Sequence, residues 1–338
     1  MIKLLEINTA SWVVLVILAV ILDWIVGDPI WIPHPVVLIG KWIGFLEKRL
    51  NKGQNRMLKG LVMWWLVILP ILFIVIGVQS LAFQWGKFPF AVINLWLLQT
   101  TLATKSLKDS VMEVYNALIK NDLPEARKFT GYLVGRDTQN LDKKNIIRAV
   151  VETTAENTID GILAPLFYMI IGCLFNFFIP MLNPLLFAMV YKGVNTMDSM
   201  VGYIQEPYRE FGYISAKMDD GFNFCFARLG SWFMLAGGFF LGYNCKAGKK
   251  IYLRDRKNHK SPNAGHPESV VAGLLGIELG GDNLYFGQLL KKPTIGDPIN
   301  VLAIEDIRST VTIGVASEVV VLVAMLLFSG IIVALGLV

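Results

Sequence analysis

Long apolar runs separated by basic stretches are the feature that most constrains how this 338-residue chain can fold. A bilayer core about 30 Å thick needs roughly 20 apolar residues in a helix, and several runs approach that length. Hydrophobic residues make up 54% of the chain and charged residues only 17%, which is far from the balance of a soluble domain. The sequence therefore predicts an all-α, polytopic transmembrane helical bundle with about five to seven membrane segments, joined by cytoplasmic amphipathic helices and loops.

The predicted spans belong to a single integral membrane domain, 1–338. They are 8–26, 61–83, 88–103, 162–191, 222–243 and 311–338. The fourth is long enough for a helical hairpin, because Pro180 and Pro184 interrupt it. The polar stretches that carry function are expected at 27–60, 104–161, 192–221 and 244–310.

Lysine and arginine are concentrated in three of the stretches between spans, with six in 41–59, nine in 105–148 and ten in 246–308. The positive-inside rule places all three in the cytoplasm. A single crossing at 162–191 would put residues 192–221 outside, whereas a hairpin or re-entrant segment would not, and both alternatives remain open. We expect a multi-pass protein of the cell (inner or plasma) membrane with mainly cytoplasmic functional loops. This topology accounts for the net charge of +5, and no nucleic-acid partner is expected.

Two polar stretches have contrasting patterns. Thr104 to Lys120 places apolar residues at helical spacing, which predicts an amphipathic helix. Pro262 to Pro298 is rich in glycine and proline and is predicted to be a loop.

The segment RAVVETTAENTIDGILAP places Arg148, Glu152, Glu156 and Asp160 four residues apart. Each step of four rotates by only about 40° on a helix, so these side chains form one ionised stripe. The stripe is either a solvated face with an Arg148–Glu152 pair or a set of carboxylates that binds Mg²⁺ and, through it, phosphates. Because the stripe runs into an apolar span, its charged side chains need protein, a cation or water beside them.

Other polar groups stand at the ends of apolar runs and in the loops. Asp219 and Asp220 could simply cap a helix, but Arg228, several residues inside an apolar segment, needs an anionic or carbonyl partner. His34, between two prolines, is as a rule more often structural than catalytic. The remaining candidates for binding substrate or phosphate are Asp28, Arg136, Asp137, Asn157, Lys192, Asn195, Ser199, Asn223, Ser261, Asn263 and Gly265.

The usual nucleotide and hydrolase motifs are missing from the sequence. It has no GxxxxGK[ST] loop, no GxSxG elbow, no HExxH helix and no GxGxxG motif after a strand. A protein of this sequence that uses ATP must therefore bind it in an unusual site.

Six motifs become specific when they are taken together. They are DWIVGDP with PHPV, GRDT, AVVETTAENTIDGILAP, NTMDSMVGY, AKMDDGFN with ARL, and SPNAGHPES followed by AGLLGIELGG. In this order they resemble the adenosylcobinamide-phosphate synthase family of cobalamin biosynthesis, the CobD/CbiB family. The resemblance runs from about Asp23 to Pro298.

The resemblance implies a membrane ligase that forms a carbon–nitrogen (amide) bond. Such an enzyme joins adenosylcobyric acid, its corrinoid substrate, to aminopropanol phosphate or an ethanolamine-type analogue, with ATP as co-substrate and Mg²⁺ as cofactor. Membrane lipid is a further expected partner, as are other late cobalamin-pathway membrane enzymes. Amide formation from a carboxylate requires activation, and an acyl phosphate made from ATP supplies it.

The site residues implied by this reaction fall into three groups. Glu152, Glu156 and Asp160 are expected to hold Mg²⁺ and nucleotide phosphates with the help of Asp198 and Asp219 or Asp220. Arg136, Lys192 and Arg228 would neutralise phosphate or carboxylate, and His34 or His266 would accept the proton of the attacking ammonium. We expect Glu156, Asp198 and Asp220 to converge in one wet pocket at the inner leaflet.

Two other classes of function fit the same charges. One is a membrane transporter whose buried charges line a pathway, and the other is a Mg²⁺-dependent lipid-phosphate transferase. Substrate turnover, solute flux and the nature of the released phosphate product distinguish the three.

Overall fold

The structure is a computed structural model that describes residues 9–29, 31–135, 137–281, 283–285, 288–290 and 293–334. The side chains of 283–285, 288–290 and 331–334 are not described. Within these ranges the regular secondary structure is almost all helix, as predicted.

The helices follow one another with short connections. In chain order they are α1 (Thr9–Val26), α2 (Pro35–Leu50), α3 (Arg56–Gln84), α4 (Lys87–Gln99), α5 (Thr104–Ile119), α6 (Leu123–Leu133), α7 (Lys143–Asn157), a π-helical turn (Thr158–Leu163), α8 (Ala164–Phe178), α9 (Pro184–Val201), α10 (Tyr213–Phe240), α11 (Cys245–Asp255), α12 (Gly265–Leu275) and α13 (Glu305–Ala334). The strands between α12 and α13 are β1 (Leu279–Gly280), β2 (Asn283–Tyr285), β3 (Gln288–Leu290) and β4 (Thr294–Ile295).

Long apolar helices in the described part of the chain make this a membrane protein. Four are long and apolar enough to cross a bilayer, namely Thr9–Val26, Arg56–Gln84, Lys143–Phe178 and Glu305–Gly330. The predicted span at 88–103 corresponds to α4, which has 13 residues and is shorter than the others. The interruption predicted at Pro180 and Pro184 is present, since α8 ends at Phe178 and α9 begins at Pro184.

The chain divides into two compact units. The first comprises Met1–Ala103, Pro165–Phe222 and Met325–Val338, and the second comprises Thr104–Ala164 and Asn223–Ala324.

In the first unit, α3 and α9 pack together, and each also contacts α2 and α4. Gly60 of α3 also lies against the backbone of Phe211, in the connection between α9 and α10. A Cβ at Gly60 would be 2.0 Å from the carbonyl oxygen of Phe211, so only glycine allows this approach. The side-chain amides of Gln79, Asn94 and Asn183 form a fully buried hydrogen-bonded group in the same unit.

In the second unit, α12 is the most buried helix of the part that the structure describes. All eleven of its residues are buried, and it packs against α7 and α11. This helix corrects the prediction of a loop across Pro262 to Pro298. The sequence of α12 lacks an alternating polar face because every face of the helix is covered by protein, so periodicity gave no helical signal. The C-terminal end of α12 does have a sequence signal, because Gly276 adopts the left-handed conformation that ends many helices (φ +66°).

The predicted amphipathic helix in the second unit is confirmed as α5, Thr104–Ile119. Its buried face includes Val111, Val114 and Leu118. The ionised stripe is only partly on an α-helix, because the chain becomes π-helical after Asn157 and Asp160 lies in that wider turn. π-Helical turns are rare and are frequent at functional sites.

Candidate functional site

The predicted stripe, on α7 and the π-helical turn after it, lies in the second unit with all three carboxylates half-buried. Glu152, Glu156 and Asp160 are neither fully exposed nor fully covered, while the intervening positions Thr154 and Ala155 are buried. The stripe is therefore not a fully solvent-exposed helix face.

The first two members of the stripe bind the backbone of one glycine. Glu152 Oε1 accepts a hydrogen bond of 2.8 Å from the N–H of Gly280, and Arg148 Nη1 donates to the carbonyl oxygen of the same residue. The two side chains also form the predicted i, i+4 pair, with Nε and Oε1 separated by 3.9 Å. Both polar groups of Gly280 are thus satisfied by α7.

Asn157 and Thr153, beside the stripe, are tied to their own element and to α6. Asn157 Nδ2 donates to the carbonyl and hydroxyl oxygens of Thr153, and Thr153 Oγ1 donates to the carbonyl of Leu133. Thr153 therefore connects α7 to the end of α6, where the GRDT motif begins.

Arg136 of that motif lies outside the described residues. Its neighbour Asp137 is exposed and accepts a hydrogen bond from the N–H of Gln139, which is a local turn interaction. Thr138 is buried and donates to the carbonyl of Arg127.

The loop and helix around SPNAGHPES form a second polar group in the same unit. His266 is 4% exposed, and its Nδ1 lies 3.1 Å from the hydroxyl of Tyr252 on α11. Burial, and then the positive charges of Arg228 and Arg256, lower the pKa of His266 to about 4. The ring is therefore neutral at pH 7.

Arg228 is held at the edge of this group. Its guanidinium lies 3.5 Å from the centroid of the Phe224 ring, one turn earlier on α10, and Nη1 is 3.3 Å from Asn263 Oδ1. A second nitrogen lies 3.5 Å from the carbonyl oxygen of Pro262. Carbonyl oxygens, one of the kinds of partner expected for this arginine, thus orient it beside the loop.

Two residues of this group were not among the predicted site residues. His259 Nε2 lies 3.9 Å from Glu268 Oε1, and Glu268 is 4% exposed. His259 Nδ1 accepts a hydrogen bond from the N–H of Ser261, whose hydroxyl oxygen in turn accepts from Asn263 and Ala264. The sequence signal was Glu268 just before the apolar run that begins at Val270, since a carboxylate requires a partner when it is buried.

Gly265 is placed by a close approach of backbones. A Cβ at this position would lie 2.7 Å from the carbonyl oxygen of Arg256, so a larger residue would displace the start of α12.

In the first unit, His34 acts as the N-cap of α2. Its Nδ1 accepts from the N–H of Val36 at 3.3 Å, and Nε2 lies 3.0 Å from Asp28 Oδ1. The carbonyl of Gly27 accepts from Gln99, which fixes the other end of the loop. His34 is thus a capping group in direct contact with Asp28.

The end of α9 and the start of α10 bring together further candidates of the first unit. Asn195 Nδ2 lies 3.3 Å from Asp219 Oδ1, and Lys217 pairs with Asp220 at 3.0 Å. Asp198 lies over Gly202, where any Cβ would collide with its carboxylate.

Two other candidates lie on α9 itself. Ser199 is exposed and donates to the carbonyl of Asn195, one turn earlier, while Lys192 is half-buried. Asn223, predicted with this set, is buried and belongs to the second unit.

The predicted carboxylates are distributed over both units. Glu156 and Asp160 lie in the second, whereas Asp198, Asp219 and Asp220 lie in the first, and their convergence stays a prediction. Among the residues that the structure describes, no three His, Cys, Asp or Glu side chains are grouped so as to hold a metal ion. Carboxylates that bind Mg²⁺ together with substrate phosphates need only one or two members, so the Mg²⁺ prediction is compatible with a nucleotide that supplies the other ligands.

The sequence is similar to a known family over most of its length. The family model described as CobD/Cbib protein matches residues 16–314. The chain belongs to the CobD/CbiB family. This agrees with the resemblance carried by the six motifs.

Curated relatives of this CobD/CbiB chain cover nearly its whole length. The cobalamin biosynthesis proteins CobD of Clostridium tetani and Clostridium acetobutylicum are both 46% identical to it, over 90% of this chain and 93% and 94% of their own. The cobalamin biosynthesis protein CbiB of Salmonella typhimurium is 44% identical over 87% of this chain and 90% of its own. No solved structure matches the sequence.

Proposed function

We propose that this protein acts in cobalamin biosynthesis as an ATP- and Mg²⁺-dependent ligase, an adenosylcobinamide-phosphate synthase. It would join a carboxylate of adenosylcobyric acid to the amine of aminopropanol phosphate or a related amino alcohol. The observation that carries the proposal is the family match over residues 16–314, whose relatives are named cobalamin biosynthesis proteins.

The chemistry of amide formation fits a site rich in carboxylates and arginine. The substrate carboxylate would attack the γ-phosphorus of ATP, which gives an acyl phosphate and releases ADP. The amine would then attack the acyl carbon, forming the amide and releasing phosphate and a proton. Both steps depend mainly on positioning and on neutralising phosphate charge.

Within the second unit, we assign the phosphate-binding role to two groups. Glu156 and Asp160, half-buried beyond the Gly280 contact, would hold the Mg²⁺ of Mg-ATP. Arg228, oriented by Phe224 and Asn263, would donate to a phosphate or carboxylate oxygen. Loop residues Ser261 and Gly265 would shape this anion site through the backbone.

The low pKa of His266 bears on which group accepts the proton of the attacking amine. A ring with a pKa of about 4 is a weak base at neutral pH, so we assign His266 the role of a neutral hydrogen-bonding group. His34, in contact with Asp28, remains the other proposed proton acceptor.

In the first unit, we assign substrate binding to the polar residues at the end of α9 and the start of α10. Asp198, Asp219 and Asp220 would complete the acidic set, with Lys192 as a cationic partner for phosphate. The catalytic loops would lie in the cytoplasm and the protein in the cell membrane, and the basic stretches between apolar helices support this orientation.

The proposal is tested by incubating the purified, detergent-solubilised protein with adenosylcobyric acid, aminopropanol phosphate and Mg-ATP. Mass spectrometry should show a corrinoid heavier by aminopropanol phosphate minus water, with ADP and phosphate released in equal amounts. An unchanged corrinoid contradicts the proposal. Flux of a solute into proteoliposomes without turnover would indicate a transporter, and release of pyrophosphate or a nucleoside monophosphate would indicate a transferase.

A further inference from the structure

Two glycines at the ends of one strand pair in the second unit are bound in the same way by two different helices. β1 and β4 form an antiparallel pair, in which Leu279 is opposite Ile295 and Gly280 is opposite Thr294. Gly280 ends β1 and Gly296 follows β4, and both have positive φ angles, +73° and +91°. The two glycines therefore stand at the two exits of this strand pair.

The first glycine, Gly280, is bound by α7. Glu152 accepts from its N–H and Arg148 donates to its carbonyl oxygen. Only 17% of the Arg148 side chain and 12% of the Glu152 side chain are exposed, so these bonds are largely shielded from water.

The second glycine, Gly296, is bound by α11 with the same chemistry. Asp255 Oδ2 accepts from its N–H at 2.8 Å, and Arg254 Nη2 lies 3.2 Å from its carbonyl oxygen. Arg254 also pairs with Asp255 at 2.7 Å and with Asp297 at 2.8 Å.

The electrostatics of Asp255 agree with a fixed contact. Burial raises the pKa of Asp255, but the hydrogen bonds from Arg254 and from the N–H of Gly296 outweigh it and leave the pKa below its ordinary value. The carboxylate therefore remains ionised while it is 5% exposed.

The two contacts connect the elements that carry the proposed phosphate-binding groups. α7 holds Glu156 one turn, about 6 Å, beyond Glu152. α11 carries Tyr252 one turn before Asp255, and Tyr252 contacts His266 at the start of α12. β1 packs on α7 and β4 packs on α12, so the strand pair connects these two helices.

We propose that Arg148, Glu152, Arg254 and Asp255 are positioning residues that fix α7 relative to α11 and α12 through the β1–β4 pair. Glu152 then acts through Gly280 and is not a ligand of Mg²⁺. This inference rests on the proposed function only in naming Mg-ATP as the molecule whose binding depends on that placement. The shared motif of an arginine and a carboxylate on one glycine is its basis.

The test compares truncation of each carboxylate with replacement by its amide. Glu152→Gln and Asp255→Asn keep an oxygen that accepts from the glycine N–H, whereas Glu152→Ala and Asp255→Ala remove it. Asp109→Ala is the matched control, because Asp109 forms an i, i+4 pair with Lys105 in the same unit but is 57% exposed. Each variant is assayed for KM and kcat with Mg-ATP, for Mg-ATP binding by calorimetry, and for amide exchange of peptides containing Gly280 and Gly296.

We expect the alanine variants to raise the KM and the dissociation constant for Mg-ATP about tenfold, with kcat changed less than about twofold. Glu152→Gln and Asp109→Ala should stay close to the wild type. Asp255→Asn should lie between the wild type and Asp255→Ala, because the amide that keeps the Gly296 bond turns its NH2 group toward the Nε–H of Arg254. Exchange at Gly280 or Gly296 should be fastest in the alanine variants. A lower kcat at unchanged KM, or Glu152→Gln as impaired as Glu152→Ala, would overturn the proposal, and the latter is the result expected of a metal ligand. If the wild type binds Mg-ATP but makes no amide, the proposed function fails while binding and exchange still decide this inference. A wild type that does not bind Mg-ATP overturns it.

Discussion

The hydroxyl of Tyr252 lies 3.1 Å from Nδ1 of His266, and the two rings meet at a centroid distance of 5.6 Å inside the second unit. The contact joins α11 to the start of α12. Burial, and then the charges of Arg228 and Arg256, lower the pKa of the imidazole and so favour its neutral form.

We predict that acid destabilises the protein through His266. In the unfolded chain the imidazole takes up a proton near pH 6.5, whereas in the native state its pKa is about 4. The unfolded state therefore binds more protons between these values, and stability is lost as the pH falls from 6.5 towards 4, by at most about 3 kcal/mol. Thermal unfolding in detergent at a series of pH values measures this loss.

His266→Gln is the comparison variant for that measurement. Glutamine at position 266 does not titrate, so the unfolding temperature of this variant should fall less between pH 6.5 and 4 than that of the wild type. Equal acid sensitivity in both proteins would show that other groups cause the loss.

A second prediction concerns Glu318, a fully buried carboxylate in α13. Thr104 Oγ1 lies 3.0 and 3.1 Å from its two carboxylate oxygens. Thr104→Val removes this donor, and we expect a loss of about 1–3 kcal/mol in the free energy of unfolding because a buried carboxylate loses a partner.

The control is Thr312→Val on α13. Thr312 is exposed and donates within its own helix, to the carbonyl of Arg308. The unfolding temperature of the Thr312→Val protein should therefore differ little from that of the wild type. A Thr104→Val protein as stable as the Thr312→Val protein would contradict the importance of the buried contact.

A third prediction uses two glycines of α3. Gly60→Ala would place a Cβ 2.0 Å from the carbonyl oxygen of Phe211, whereas nothing lies within 4 Å of a Cβ at Gly77. We expect Gly60→Ala to prevent stable folding, since a backbone atom cannot move aside. Gly77→Ala should be neutral or stabilising by up to about 1 kcal/mol, because alanine favours the helix.

The yield of monodisperse protein after detergent extraction, together with its unfolding temperature, distinguishes the two variants. Similar behaviour of both would mean that the contact between Gly60 and Phe211 is not required.

The fourth prediction tests the acidic residues of the proposed ligase. Glu156→Gln and Asp220→Asn should each lower the rate of corrinoid amidation by roughly 100-fold, because charge that stabilises the reacting phosphates is lost. Both proteins should remain folded, with unfolding temperatures near the wild type. Glu125→Gln, an exposed glutamate in the first turn of α6, is the control and should retain full activity.

Full activity of both Glu156→Gln and Asp220→Asn would remove the metal-binding role. Loss in only one of them would assign the role to a single unit of the chain.

Hydropathy and proline positions predicted the membrane helices because bilayer thickness sets a length that the sequence must match. α1 and α3 coincide closely with their predicted ranges, and the interruption between α8 and α9 follows from Pro180 and Pro184. α12 was missed because a helix covered on all sides has no polar face to show a period.

The contacts of the stripe could not be predicted from spacing. Arg148 and Glu152 were recognised as a pair, but their shared partner Gly280 lies 132 and 128 residues away along the chain. A π-helical turn likewise leaves little trace in a sequence, so the α-helical spacing assumed for Asp160 was correct only as far as Asn157.

The buried amides of Gln79, Asn94 and Asn183 have a consequence for how the first unit assembles. The three amides belong to three different helices, since Gln79 lies on α3, Asn94 lies on α4 and Asn183 is the N-cap of α9. Hydrocarbon offers no substitute partner, so sliding α3 by a single residue would strand an amide group in lipid. Three neutral side chains thereby select one depth of insertion for each of these helices relative to the others.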